Sequence, residues 1–381
     1  MEMDKIILVL DSFKGNLSSL EACTLVKEGF ILSGVKNEIK VLPVADGGEG
    51  TVDAFLAAVG GEKIFVKARD PFLRAIDSFF GILPDGSAVI EMAAACGLPL
   101  VENERDIRRA SSAGVGDLIT AALNRGCKKI IIGLGGSATN DGGIGMASSL
   151  GVRLFDSGGE ELSPDHAGLE SIHSLDISNL DERLKDTQIL VACDVDNPLC
   201  GERGASNVFG PQKGATKEDI AYLDNNLDLL SKAVKRSLDK DAGTMPGSGA
   251  AGGLGFALVS FLSAQLMPGI DIVLDAACFE RELSGACLVI TGEGRIDGQS
   301  AGGKAPVGVA KRAKKAGVPV IAMVGDIADG AQSTYDHGIS AIFSIHRVAL
   351  DYEKIRLRCK NDLRDTAADV GRLLRATGYL K

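Results

Sequence analysis

The chain has no tryptophan, 4 tyrosines and 13 phenylalanines, so it offers little aromatic surface on which nucleic-acid bases could stack. Positive charge is also in deficit: 41 Lys and Arg stand against 51 Asp and Glu, a net charge of −10. A field of that sign repels phosphate backbones and anionic membrane surfaces, which argues against nucleic-acid and membrane partners. The 4 histidines form no His-x-x-x-His pair and the 8 cysteines no Cys-x-x-Cys pair. A zinc site is therefore not expected, and the cysteines read as small buried hydrophobes in a reducing cytosol. With 11 prolines and no triplet repeat, the chain is neither collagen-like nor a disordered Pro/Gly tract. Long apolar runs are missing too. Ile6–Leu10 is the length of a strand, not of a secretory signal. Residues Ala242 to Ile270 carry no charge, but they read as a glycine loop followed by a buried helix, Phe256 to Leu266. A cytoplasmic protein is expected.

What the sequence has in excess is glycine, 48 of 381 residues against a usual share of about 7%. Such an excess serves turns and close ligand approach. The length suggests two to three domains. Ile6–Leu10 reads as a strand buried on both faces, and Ser18 with Glu21 forms a capping box opening a helix toward Phe30. A strand over Glu38–Val44 and a helix over Val52–Val59 follow. The last hundred residues repeat this grammar: strands at Leu288–Thr291, Val318–Val324 and Ala341–Ile345, and a helix over Val309–Lys315 behind Pro306. Cys359, Leu363, Ala367, Val370 and Leu374 mark one face of a closing helix. The middle differs, with hairpin-like pieces over Ile64–Ile90, a helix over Gly116–Arg125 and a long helix through Ile220 to Leu238. This pattern predicts an α/β protein: one parallel-sheet domain from residues 1–70 and 285–381, interrupted by a domain over 71–284.

Five segments gather Gly, hydroxyl residues and carboxylates where strands end: Asp11–Asn16, Asp46–Thr51, Gly133–Gly143, Cys193–Cys200 and Thr291–Lys304. In open α/β sheets, ligands bind outside the carboxyl ends of the strands. Gly133–Gly143 follows the apolar strand Ile130–Ile132 and precedes a helix start at Ile144. Its glycines free N–H groups, Ser137 and Thr139 add hydroxyls, and a helix N-terminus would add positive potential, together suiting a phosphate. As a dinucleotide fingerprint it is broken by Ala138, although Asp156 lies near the spacing a dehydrogenase requires. Gly298–Lys304 has Walker-loop spacing, but Ala305 replaces the Mg²⁺-ligating Ser/Thr. Asp11, Asp46, Glu49, Asp141, Asp194, Asp196, Glu293 and Asp297 are the carboxylates available for cation and base roles, and Lys14, Arg203, Lys213, Arg295 and Lys304 the cations.

With these segments in view, the sequence resembles the bacterial glycerate kinase family that phosphorylates the 2-hydroxyl. The resemblance rests on Asp-Ser-Phe-Lys-Gly at Asp11, Val-Ala-Asp-Gly-Gly-Glu-Gly-Thr at Val44 and Gly-Gly-Ser-Ala-Thr-Asn-Asp-Gly-Gly at Gly135. Ala-Cys-Asp-Val-Asp-Asn-Pro-Leu at Ala192, Phe-Gly-Pro-Gln-Lys-Gly-Ala at Phe209, Gly-Ala-Ala-Gly-Gly-Leu-Gly at Gly249 and Thr-Gly-Glu-Gly-Arg-Ile-Asp at Thr291 extend it along nearly the whole chain. It implies a flavodoxin-like domain built from both chain ends with a second α/β domain inserted. It also implies ATP and Mg²⁺ as co-substrates and D-glycerate as acceptor, in glyoxylate or sugar-acid catabolism. Physical chemistry then distributes the roles. Ser12, Gly135, Gly136, Ser137, Thr139, Asn140 and Lys304, with Lys14, would hold the nucleotide phosphates. Asp46, Gly47 and Gly48 would border glycerate, and the Arg295 fork would bind its carboxylate. Asp194, with Asp46 or Glu293, would hold Mg²⁺, and Asp297 or Asp194 would be the base. Phosphorylation of the 3-hydroxyl, a hydroxy-acid dehydrogenase and a sensor without turnover remain the alternatives, and a homo-oligomer remains open.

Overall fold

The computed structural model describes residues 4–45, 47–298, 300 and 304–381. The chain folds as two units, one of residues 1–46, 53–60 and 268–381, the other of residues 47–52 and 61–267.

The first unit holds a wholly parallel sheet in the order Ile339–Ser344, Val320–Val324, Ala286–Gly292, Lys5–Leu10, Glu38–Val41. Numbered along the chain within this unit, that is the 2-1-3-4-5 order of flavodoxin-like sheets. Ile6 to Leu10 are fully buried, and every residue of Ala286–Gly292 is buried, as central strands covered on both faces must be. The helix Ser19–Leu32 starts where its capping box dictates. Ser18 Oγ accepts from the Glu21 N–H, and the Glu21 carboxylate accepts from the Ser18 N–H at 2.9 Å. Ser18→Ala is expected to cost about 1 kcal/mol, read as a lower Tm at unchanged kinetics. This helix packs against the closing helix, Cys359–Ala376, whose Leu363, Ala367 and Val370 are buried as their spacing predicts.

The second unit holds a six-stranded sheet ordered Gln265–Met267, Gln188–Ala192, Lys129–Gly133, Ala88–Glu91, Ala75–Ile82, Glu62–Arg69. The first four strands are parallel and the last two antiparallel. Register aligns Glu91, Gly133, Ala192 and Met267, so the loops that follow these strands leave from one edge.

Two expectations shift. The units divide near residues 60 and 268, where 70 and 285 were expected to within about ten residues. Glu62–Arg69 is hydrogen-bonded along its length to Ala75–Ile82. The helix Gly269–Ala276 is tied to the helix Ala305–Lys315 by Arg312, 2.9 Å from Asp271 and 2.6 Å from Asp275. The helix expected to run through Leu266 stops at Leu262, where Ser263 turns left-handed at φ +53°, and Gln265–Met267 becomes an edge strand instead. Ala75–Ile82 pairs antiparallel with Ala88–Glu91 as well as with Glu62–Arg69, so the hairpins expected over Ile64–Ile90 are present, and Ala88–Glu91 also lies parallel to Lys129–Gly133 on its other side. No helix among the described residues is long and apolar enough to cross a membrane.

Candidate active site

In the first unit the sheet order reverses between Lys5–Leu10 and Ala286–Gly292, the kind of position at which such sheets bind ligands. The loops leaving these two strands meet there. The Asp11 N–H donates to Gly292 O at 2.9 Å, and Gly294 lies against Phe13 and the Lys14 backbone. Glu293 is buried, and Ser300 Oγ lies 3.1 Å from its Oε1 and 3.3 Å from Asp297 Oδ1. The Asp297 N–H donates to Ser300 Oγ, the Ser300 N–H returns a bond to Asp297 Oδ1 at 3.0 Å, and Lys304 Nζ lies 3.5 Å from the same oxygen. Burial pushes the Glu293 carboxyl up to about 7, against the pull of Lys304, the Ser300 hydroxyl and Lys14, while Asp297 adds to the rise. Ser12 donates its N–H to the neighbouring Asp11 carboxylate at 2.6 Å. Arg295 is exposed, with Asp326 3.7 Å away, so its fork remains accessible to a carboxylate ligand.

In the second unit two glycine-rich loops pack backbone to backbone. The Gly135 N–H donates to Gly47 O at 2.9 Å, and a Cβ on Gly135 would lie 2.3 Å from Gly48 Cα. This close approach explains the glycine at 135, and a left-handed φ of +87° explains the glycine at 47, before any ligand is considered. Glu91, buried at its strand end, accepts from the Gly50 N–H at 3.0 Å and the Val52 N–H at 3.3 Å, fixing the loop that carries Gly47 and Gly48. The Ala138 N–H goes to Cys96 O, and Gly136 O accepts from Leu98 N–H. Below the loop is Lys213, 2% exposed, whose Nζ donates to Ser137 Oγ at 2.8 Å and to Thr139 O at 2.5 Å. Desolvation drives this ammonium down to about 7, with Asp141 pulling it back up. Asn140 Nδ2 donates to Ser206 Oγ at 2.9 Å, whereas Thr139 Oγ1 and Asn140 Oδ1 are buried without a protein partner. Asp194 is exposed just beyond the Gln188–Ala192 strand, and Asp196 is engaged by Arg203 at 2.9 Å.

Among the expected site residues, the structure gathers Glu293 and Asp297 around the Ser300 hydroxyl in the first unit, with Lys304 against Asp297. In the second it gathers Gly47, Gly48 and Gly135 through Asn140. Asp46 lies outside the described residues, as do Gln299 and residues 301–303 of the Walker-like segment. The positive potential expected from a helix N-terminus at this loop is not found. The helix after the loop spans only Ile144–Ser149, and Asp141 already covers its start. Asp141 accepts from the N–H groups of Gly143, Gly145 and Ser112 and from the Ser112 hydroxyl. Asp156, the residue a dehydrogenase would need, instead closes a turn by accepting from Gly158 and Glu160. Ser300 and Glu91 were not singled out from sequence. An acidic residue closing the apolar run Ala88–Ile90 was the available signal for Glu91.

Parallel sheets with hydroxyl-, glycine- and carboxylate-bearing loops at their strand ends define an α/β enzyme built to handle phosphorylated and acidic ligands. Comparison with known proteins makes this specific. The chain matches the glycerate kinase family over residues 6–375 and belongs to it. It is 48% identical over 343 residues to the glycerate 2-kinase of Escherichia coli K12, covering 90% of each chain. It is 46% identical over 368 residues to the glycerate kinase of Bacillus subtilis 168, covering 96% of each. A crystal structure named glycerate kinase 2, from Salmonella typhimurium LT2, superposes with a TM-score of 0.86 at 45% identity and 99% coverage of both chains. Kinases of this family imply ATP as the phosphoryl donor, and the dehydrogenase alternative is not favoured.

Proposed function

We infer that this glycerate kinase transfers the γ-phosphoryl group of ATP to the 2-hydroxyl of D-glycerate, giving 2-phosphoglycerate and ADP. The hydroxyl oxygen forms the new bond to phosphorus, the bond from the γ-phosphorus to the β,γ-bridging oxygen breaks, and the hydroxyl proton passes to a carboxylate. The observation that carries the site reading is the Glu293–Ser300–Asp297–Lys304 cluster at the reversal point of the parallel sheet. The choice of the 2-hydroxyl is supported by the E. coli glycerate 2-kinase relative.

The roles follow from chemistry. Arg295, exposed beside this cluster in sequence, binds the glycerate carboxylate, and Lys14 and Lys304 supply positive charge for the anionic groups. Glu293 suits proton acceptance better than resident metal ligation, because burial keeps its proton affinity near neutral pH and the Ser300 hydroxyl orients it. Asp297 positions Ser300 and pairs with Lys304. Ser137, Thr139 and Asn140 face the nucleotide phosphates.

Among the described residues, no group of three or more His, Cys, Asp or Glu is placed to hold a metal ion. One or two carboxylates suit Mg²⁺ arriving with the nucleotide, since Mg²⁺ commonly completes its shell with substrate phosphates and water. Asp194, exposed at its strand end, would be the carboxylate that meets it, and the ion would neutralise charge on the phosphates. All eight cysteines are free thiols, which supports a reducing cytoplasm.

A coupled ADP-release assay with D-glycerate tests the assignment. Asp194→Asn, Asp297→Asn and Arg295→Ala are each expected to lose about 100-fold or more in kcat/KM. Wild-type values in all three remove these residues from the mechanism. Phosphorus NMR of the product distinguishes 2- from 3-phosphoglycerate.

A further inference from the structure

Two backbone donors of the proposed phosphate loop in the second unit are already engaged. Its Gly135 and Ala138 N–H groups are spent on Gly47 O and Cys96 O, and the Asp141 carboxylate covers the start of the helix that follows. The positive charge comes from beneath, from Lys213. Both hydrogen bonds of its ammonium go to neutral oxygens, Ser137 Oγ and Thr139 O, in a setting 2% exposed. An ammonium buried without a hydrogen-bonded carboxylate is costly, and two neutral acceptors do not recover that cost. Packing alone would be better served by an apolar side chain, so the charge has work to do on the loop.

The chemistry of the two acceptors shows what that work is. A serine hydroxyl has one proton and two lone pairs. With a lone pair of Ser137 Oγ occupied by the Lys213 ammonium, the remaining O–H turns outward as a donor, strengthened by the cation behind it. The Thr139 carbonyl, drawn to the same ammonium, is held away from the ligand face. Both bonds remove acceptors from that face.

We propose that Lys213 is a positioning residue for phosphoryl transfer: its buried ammonium holds Ser137 and the Thr139 carbonyl so that the Ser137 hydroxyl meets the nucleotide phosphates as a donor. This rests on the assignment of Gly135–Asn140 to the phosphates.

Steady-state kinetics of Lys213→Met, Lys213→Gln, Ser137→Ala and the double variant with Lys213→Met test it. Lys213→Met is expected to raise KM for ATP about ten- to a hundred-fold while KM for glycerate stays unchanged. Lys213→Gln should fall between it and wild type, because a neutral amide can still donate to Ser137. The double variant should be no worse than Lys213→Met alone, because the lysine acts through the serine. A lowered Tm with wild-type KM for ATP, or full additivity in the double variant, overturns the proposal. Should Lys213→Met not fold, Lys213→Gln with and without Ser137→Ala makes the same comparison. Ser137→Ala with a wild-type KM for ATP would remove the phosphate-loop assignment itself. A raised KM in Ser137→Ala combined with additivity removes only the role of Lys213.

Discussion

Gly252→Ala is expected to lose about 3 kcal/mol or more of stability, a fall in Tm of roughly 10 °C, and to weaken ATP binding with it. The helix Ala250–Leu262 opens with three residues in left-handed conformation, Ala251 at φ +52°, Gly252 at +69° and Gly253 at +90°. A Cβ on Gly252 would sit 2.0 Å from the Thr139 carbonyl oxygen and 2.5 Å from Asn140 Cα, both backbone atoms of a buried loop with no room to retreat. The Gly142 N–H also bonds to Gly252 O at 3.0 Å. The left-handed turn is therefore the floor on which the loop Gly135–Asn140, proposed to hold the phosphates, rests, and raising it displaces Thr139 and Asn140. Ala251→Gly is the control. It removes a Cβ from a strained residue and should stay within about 1 kcal/mol of wild type. Thermal unfolding together with ATP titration reads both effects, and a Gly252→Ala protein as stable as wild type would show that the loop is not built on this turn.

Glu293→Gln is expected to lower kcat/KM by about 100-fold or more while making the protein more stable at pH 8. In the folded state burial raises this carboxyl from its ordinary 4.5 to about 7, so the folded protein holds the proton more tightly than the unfolded chain. Its stabilising contribution is complete below about pH 4.5 and disappears as pH rises through about 7. Glutamine keeps the shape and hydrogen bonding of the protonated form at every pH. The Tm of wild type should therefore fall relative to the variant between those two values, and the curves should meet at the acid end. A variant that is inactive yet no more stable at pH 8 would mean that folding does not raise the proton affinity of Glu293.

How far the sequence disclosed this protein varies with the kind of interaction. Ser18 and Glu21 are three residues apart, and a capping box is local, so the start of the first helix was legible to the residue. The fully buried strands and the closing helix face were legible because burial leaves a periodic trace. The divisions near 60 and 268 were not, because pairing of Glu62–Arg69 and docking of Gly269–Ala276 are decided by distant partners. The same holds within the site. Glycines at 47, 48 and 135 were visible as a motif, but nothing local distinguishes a glycine that receives a ligand from one that lets two loops touch. Lys213 appeared as one loop cation among five, and only its burial singles it out. Asp141, in the midst of the glycine motif, proved to be a cap, the commonest use of an aspartate in such a turn.

The placement of Lys5–Leu10 between Glu38–Val41 and Ala286–Gly292 also bears on how the chain is made. The second of those neighbours leaves the ribosome roughly 250 residues after the first, on the order of 10 to 50 seconds at ordinary elongation rates. Throughout that interval one side of an apolar strand waits without its mate, a ready template for adventitious pairing. Nascent chains paused anywhere in that interval keep this edge open, whereas the sheet of the second unit, encoded in one stretch from Glu62 to Met267, can close as it emerges.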